Sequence, residues 1–111
     1  MSERIESYEA FWPYYVAEHR NVTCRRLHFV GTTLVYGCLV AGVVANPWFL
    51  AGAPLAGYGF AWLGHFGFEK NRPATFQYPL WSLRADFRMY YYTLLGRMPG
   101  EIARANELYP V

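Results

Sequence analysis

The sequence is poor in charge. Only 16% of its 111 residues are charged, whereas soluble domains average about 25%. From Leu27 to Phe68 there is no Asp, Glu, Lys or Arg at all. The net charge of +2 is small and the aromatic residues do not alternate with basic runs, so nucleic-acid binding is not indicated. The length fits a single domain over residues 1–111.

Cysteines and familiar catalytic motifs are also scarce. Cys24 and Cys38 have no CxxC spacing, so no disulfide framework is expected, and free cysteines fit a reducing cytoplasmic side. The chain has no glycine-rich phosphate loop, no GxSxG and no HExxH. These absences argue against a phosphate-loop nucleotidase, a serine hydrolase of the GxSxG type and an HExxH zinc protease.

Two long apolar runs fill the uncharged stretch. Phe29–Ala45 and Trp48–Gly64 are separated by Asn46-Pro47. With their flanking residues, both reach the roughly 17–20 residues that span a bilayer. We therefore predict transmembrane helices over approximately residues 27–45 and 48–66. A buried hairpin in a soluble helical bundle is the competing interpretation, but so short a chain can hardly bury two such runs.

Small residues recur along both runs and let membrane helices approach closely. The glycines among them are Gly31, Gly37, Gly42, Gly52, Gly57, Gly59 and Gly64.

The charges that flank the runs predict their orientation. Arg20, Arg25 and Arg26 precede the first run, Lys70 and Arg72 follow the second, and the turn between them is uncharged. The positive-inside rule then places both termini in the cytoplasm. The location would be the inner membrane of a bacterium or the endoplasmic reticulum of a eukaryote.

The two arms of the chain also have helical patterns. Ser7–Glu18 has apolar residues at spacings of three and four. Residues 80–95 carry an apolar stripe, with Arg84 and Arg88 on another face, which is typical of a helix at a membrane interface with arginines toward anionic headgroups. An amphipathic core helix is the alternative. Pro99-Gly100 is expected to begin a short polar tail. The predicted fold class is all-α: an integral membrane protein with a two-helix transmembrane hairpin, flanked by an N-terminal helix and a C-terminal amphipathic interfacial helix.

The chain has only three histidines, and all lie near the ends of the uncharged stretch: His19, His28 and His65. If the hairpin forms, its ends meet on the cytoplasmic side. Asn21 or Thr23 could cap a new helix and allow a turn between His19 and His28. The competing interpretation is that each histidine is simply an interfacial residue.

A polar cluster follows His65. Glu69 is four residues further on, so the two share a helix face. Three imidazoles and a carboxylate suit Fe, Zn, Mn or Cu, and a facial set with open positions suits non-haem Fe(II) and O2 chemistry. Glu69 would be a ligand or would orient a histidine. Arg72 or Lys70 could meet a substrate carboxylate.

Several of these segments resemble a known family. They are YYVAEH at residues 14–19, NVTCRRLHFVGT at 21–32 and GHFGFEKNRPATFQYPLWSL at 64–83. Together with the apolar runs they resemble the Mpo-type 2-hydroxy fatty acid dioxygenases. The resemblance implies a membrane-embedded Fe(II) enzyme that uses O2 to shorten a 2-hydroxy fatty acid by one carbon, an α-oxidation step of lipid metabolism. It also implies iron binding at His19, His28 and His65.

The leading hypothesis is therefore a non-haem iron dioxygenase with a 2-hydroxy fatty acid and O2 as substrates. His19, His28 and His65 would bind Fe(II), with Glu69 as a fourth ligand or supporting group and Arg72 as the substrate-carboxylate contact. Association into a homo-oligomer is a further expectation. The alternatives are a non-enzymatic membrane scaffold or lipid-binding module built on the glycine-rich hairpin, and haem ligation by two of the histidines.

Overall fold

A computed structural model describes residues 4–110, and this part of the chain is 79% helical with no strand. The all-α prediction is confirmed. Five α-helices are joined by short connections that include π-helical turns at Leu63–Glu69 and a 3-10 turn at Ala74–Phe76. The α-helices are α1 (Tyr8–Ala17), α2 (Val22–Val44), α3 (Phe49–Trp62), α4 (Pro79–Leu94) and α5 (Met98–Leu108).

The helices form two compact units. The hairpin unit is Asn21–Pro73, with α2, α3 and the π-helical turns. The terminal unit combines the residues up to Arg20 with those from Ala74 onward, and contains α1, α4 and α5. The assignment of residues 1–111 to a single domain stays a prediction.

The hairpin unit begins and turns where the sequence predicts. The Asn21 side chain accepts a hydrogen bond of 3.0 Å from the backbone N–H of Cys24, which caps α2. The helix ends at Val44, and α3 starts at Phe49 after the Asn46-Pro47 break. Both cysteines are free. They lie 14 residues apart on α2, so about 21 Å of helix separates them.

Some of the small residues serve close helix packing. A Cβ atom on Gly31 would lie 2.9 Å from Cβ of Phe60, and one on Gly42 would lie 2.4 Å from a methyl carbon of Leu50. Gly37 and Gly59 instead face open space. The predicted role of small residues therefore holds at particular positions and not along the whole run.

In the described part of the chain, α2 is the one helix that is long and apolar enough to cross a membrane. Only 17% of its most apolar window is buried, which does not fit the core helix of a soluble bundle. The α3 helix has 14 residues, about 21 Å at 1.5 Å per residue. The predicted second span is thus divided between α3 and the π-helical turns, and its crossing of a membrane stays a prediction.

The terminal unit is built around α1, and the helix predicted within residues 7–18 is confirmed as Tyr8–Ala17. Ser7 caps this helix by accepting from the backbone N–H of Ala10 at 3.2 Å. The buried face of α1 carries large aromatic side chains. They pack against small and flexible side chains of α4 and α5, which can adapt to the shape of the rings. The buried set includes Phe11, Trp12, Tyr15, Val16, Ala85, Met89, Met98 and Ala105.

The face of α4 that packs in this core is the one with Ser82, Ala85 and Met89. The predicted apolar stripe lies elsewhere, and Leu80, Leu83, Tyr91, Leu94 and Leu95 on it are exposed. The helix is confirmed, the predicted stripe is not its core face, and its location at a membrane interface stays a prediction.

The arginines of α4 lie against aromatic rings of α1. The guanidinium of Arg84 lies 3.9 Å from the ring centroid of Tyr8, and that of Arg88 lies 4.1 Å from the ring of Trp12. Their cations rest on aromatic faces of α1, where cation–π attraction holds them. Their predicted orientation toward anionic headgroups stays a prediction.

The C-terminal segment also differs from expectation. Met98–Leu108 is the helix α5 and not a polar tail. Pro99 stands in its first turn, where the missing N–H costs no hydrogen bond. The helix is held by the buried Met98 and Ala105, and its Glu101 accepts from Nε1 of Trp12 at 2.6 Å.

Candidate metal centre

Two of the three histidines meet within the hairpin unit. The ring centroids of His28 and His65 are 5.0 Å apart and the rings are nearly perpendicular, at 88°. Both side chains are buried. The predicted meeting of the two ends of the hairpin is therefore found for this pair.

Gly64 makes that approach feasible. A Cβ atom at Gly64 would lie 2.8 Å from Sγ and 3.2 Å from Cα of Cys24. The π-helical turns therefore pack directly on the first turn of α2, one turn before His28. The residue after Gly64 is His65, so the contact places its ring beside that of His28.

His65 is oriented by a side chain that follows the π-helical turns. Its Nδ1 lies 2.7 Å from Oδ1 of Asn71, whose backbone N–H also donates to the His65 carbonyl at 3.0 Å. Lys70 between them adopts a left-handed conformation with φ of 61°, which ends the helix and turns Asn71 back. Such π-helical turns are frequent at functional sites. The sequence pattern had not singled out Asn71 as a functional residue.

His28 is oriented by its own helix. Its Nδ1 lies 2.9 Å from the carbonyl oxygen of Cys24, one turn earlier. A carbonyl can only accept a hydrogen bond, so Nδ1 of His28 carries the proton.

His19 belongs to the terminal unit and follows the end of α1. It is fully buried, and its Nδ1 lies 2.6 Å from the carbonyl oxygen of Tyr15. Its ring stacks on the Tyr15 ring at 4.1 Å between centroids. His19 stands two residues before Asn21, where the hairpin unit starts.

All three histidines share one hydrogen-bonding pattern. Each Nδ1 faces an oxygen acceptor, from Tyr15, Cys24 or Asn71. The neutral ring therefore keeps its proton on Nδ1 and its lone pair on Nε2, the form in which histidine binds a metal. Each of His19, His28 and His65 is buried and offers one ligand atom. Each imidazole is therefore in a form that can ligate a metal ion.

Glu69 and Arg72, the other predicted site residues, lie at the end of the hairpin unit. The Glu69 carboxylate accepts a hydrogen bond from the backbone N–H of Asn21, so it holds the start of α2, where the helix dipole favours a negative charge. Arg72 is exposed in the loop that follows. The ligand role of Glu69 and the substrate role of Arg72 stay predictions.

The structure adds a polar pair that sequence reasoning missed. The buried Tyr15 hydroxyl donates to the carboxylate of Asp86 on α4. Burial raises the pKa of Asp86 to about 7, and the hydrogen bond from Tyr15 opposes that rise. The available signal was that Asp86 is the only aspartate of the chain and lies within a largely aromatic and apolar helix.

The fold and these residues define an all-helical protein with an apolar hairpin and buried histidines suited to a metal. A family model described as "2-hydroxy-palmitic acid dioxygenase Mpo1-like" matches residues 5–98. The chain belongs to this family, whose name points to a dioxygenase-like function on a 2-hydroxy fatty acid. Comparisons with curated proteins and with solved structures gave no match.

Proposed function

We propose that this protein is a membrane-embedded, Fe(II)-dependent dioxygenase that shortens 2-hydroxy fatty acids by one carbon. One observation carries the proposal: each of the three buried histidines has an oxygen acceptor at Nδ1, which places the lone pair of the neutral ring on Nε2. The family match supports the class of reaction and the class of substrate.

His19, His28 and His65 would hold the iron through Nε2. Three neutral imidazoles with open positions suit non-haem Fe(II). When bound, the iron would supply a binding point for O2 and for the carboxylate and hydroxyl oxygens of the substrate. Asn71 keeps His65 in its ligand tautomer, as hydrogen-bonded residues behind a metal ligand generally do.

Two charged residues have proposed roles beside the histidines. Arg72 would attract the substrate carboxylate, since a guanidinium binds carboxylates through paired N–H groups. Glu69 would act as a fourth ligand or, through its bond to the Asn21 N–H, would hold the first turn of α2 and with it His28. Burial of the three imidazoles keeps bulk water away from their ligand nitrogens.

The membrane would supply the substrate. Side chains along α2 and α3 are apolar and yet exposed, among them Val40, Val43, Val44 and Leu55. Acyl chains are a suitable environment for them, and each buried CH2 of a fatty acid contributes about 0.8 kcal/mol. The flanking Arg20, Arg25, Arg26, Lys70 and Arg72 would keep both termini in the cytoplasm.

Oxygen uptake tests the proposal. The purified protein, in lipid nanodiscs and loaded anaerobically with Fe(II), is given 2-hydroxypalmitic acid, or palmitic acid as the matched control without the hydroxyl. We expect uptake and an acid one carbon shorter with the first substrate only. His28→Ala and His65→Ala should abolish uptake, while Thr33→Ala on the exposed face of α2 should not. Absence of uptake by the iron-loaded wild type would overturn the proposal.

A further inference from the structure

We propose that Asp86 and Tyr15 are positioning residues that together fix the imidazole of His19. The significance of that position rests on the proposed function, in which His19 binds iron. The contacts themselves lie within the terminal unit.

The first contact joins α4 to α1. Tyr15 is only 1% exposed, and its hydroxyl donates to the Asp86 carboxylate. A buried tyrosine hydroxyl usually finds a hydrogen-bond partner, and the Asp86 carboxyl group supplies the acceptor oxygen. The hydrogen bond therefore fixes the outer end of the Tyr15 ring.

The second contact joins Tyr15 to His19 through both a hydrogen bond and a ring stack. The Tyr15 carbonyl accepts from Nδ1 of His19 at 2.6 Å, and the two rings stack at 4.1 Å with 29° between their planes. The hydrogen bond sets the tautomer and one edge of the imidazole, and the stack sets its tilt. Since His19 follows the last turn of α1, the helix itself does not hold the ring, and Tyr15 takes over that task.

Trp12, a ring neighbour of Tyr15, has a hydrogen-bond partner of its own. Trp12 stacks on the Tyr15 ring at 5.7 Å, but its own Nε1 donates to Glu101 and not toward Tyr15. The desolvation that raises the pKa of Asp86 is partly offset by the Tyr15 bond, so the two groups stabilise each other. Loss of either should release the Tyr15 ring and then that of His19.

A metal-free measurement tests the chain of contacts. The chain has only three histidines, so isotope labelling of histidine gives few NMR signals. The spectrum of the labelled wild type is compared with those of Tyr15→Phe, Asp86→Ala, the double variant and Asp86→Asn. Stacking on Tyr15 should shift the His19 ring protons upfield. We expect that shift to shrink in both single variants, to shrink no further in the double variant, and to recover in Asp86→Asn, which keeps an acceptor oxygen.

Glu101→Gln is the matched control. It alters the carboxylate partner of another buried aromatic donor in the same unit, and it should leave the His19 shift unchanged. An unchanged shift in both Tyr15→Phe and Asp86→Ala would overturn the inference. So would an equal change in Glu101→Gln, which would indicate general loosening of the unit.

Fe(II) affinity separates this inference from the proposed function. In both disruptive variants we expect roughly tenfold weaker binding, the lower end of the effect of removing a residue that supports a metal ligand. A wild type that shows the coupled NMR shifts but binds no iron would refute the proposed function and leave the positioning contacts standing. Iron binding by a wild type without the coupled NMR shifts would refute the positioning contacts and leave the proposed function standing.

Discussion

At the scale of single residues, the three histidines differ in the kind of hydrogen-bond acceptor that orients their rings. Backbone carbonyls do so for His19 and His28, while a side chain does so for His65. Only the last of these acceptors can be removed by substitution. Asn71 is therefore the direct route to testing whether the Nδ1 bonds matter for metal binding.

Asn71→Ala should weaken Fe(II) binding by about 10- to 100-fold, because His65 loses the acceptor that fixes its tautomer. Asn71→Asp keeps an oxygen at the same place and should stay closer to the wild type. Competition with a chelator measures both affinities. Equal affinity of Asn71→Ala and wild type would show that this bond does not support the ligand.

The raised pKa of Asp86 predicts that the stability of the folded protein depends on pH. Its folded-state pKa is raised from 3.8 to about 7, so the folded protein holds this proton more firmly than the unfolded chain does. The contribution to stability is fully present below about pH 4 and is lost as the pH rises to about 7. Asp86→Asn should flatten the fall in melting temperature across this window. Identical pH profiles for variant and wild type would contradict the raised pKa.

The residue chemistry was only partly predictable from sequence. The histidines could be found because they are few and bracket an uncharged stretch. Asn71 could not be found in this way, because residues six apart do not share a face of a regular α-helix. It becomes a partner only through the π-helical turns and the left-handed Lys70.

At the scale of elements, the contact between α2 and the π-helical turns decides where His65 lies. Gly64 has no room for a side chain, since backbone atoms of Cys24 stand 3.2 and 3.3 Å from a Cβ placed there. Backbone cannot rotate away as a side chain can. A methyl group at this position would have to push the two segments apart.

Gly64→Ala should therefore lower the free energy of unfolding by about 1–3 kcal/mol, as overpacking does, and weaken iron binding at the same time. Gly59→Ala is the matched control on α3, because nothing lies within 4 Å of its Cβ position. It should stabilise the helix by up to about 1 kcal/mol. Thermal unfolding in detergent measures both, and equal effects of the two substitutions would contradict the close contact.

Some boundaries of the helices could be predicted from the sequence and others could not. The Asn46-Pro47 break and the Asn21 cap follow from local chemistry, and both were predicted. The helix α5 was missed because Pro99-Gly100 resembles a stop, although proline is well tolerated in a first turn. The cation–π contacts of Arg84 and Arg88 could not be predicted, because their aromatic partners are distant in sequence.

At the scale of the whole molecule, the exposed apolar surface of α2 is consistent with the proposed lipid environment. Leu34 near the middle of this helix and Val22 at its start are both exposed. A charge costs about 2.5–3.5 kcal/mol at the centre of a spanning helix and much less at its end. The two positions thus form a matched pair.

Leu34→Arg should reduce the fraction of protein that stays with membranes after alkaline carbonate extraction, and Val22→Arg should not. Both termini should be accessible from the cytoplasmic side when tagged. Release of the wild type by carbonate, or equal retention of the two variants, would favour a protein that does not cross the bilayer through α2.

The proposed function depends most of all on iron bound by His19, His28 and His65. Metal analysis of the purified protein, reconstituted with Fe(II) and freed of excess metal, tests this claim most directly. We predict stoichiometric iron in the wild type and in Thr33→Ala, and loss of iron in each of His19→Ala, His28→Ala and His65→Ala. Stoichiometric iron that survives all three histidine substitutions would contradict the claim.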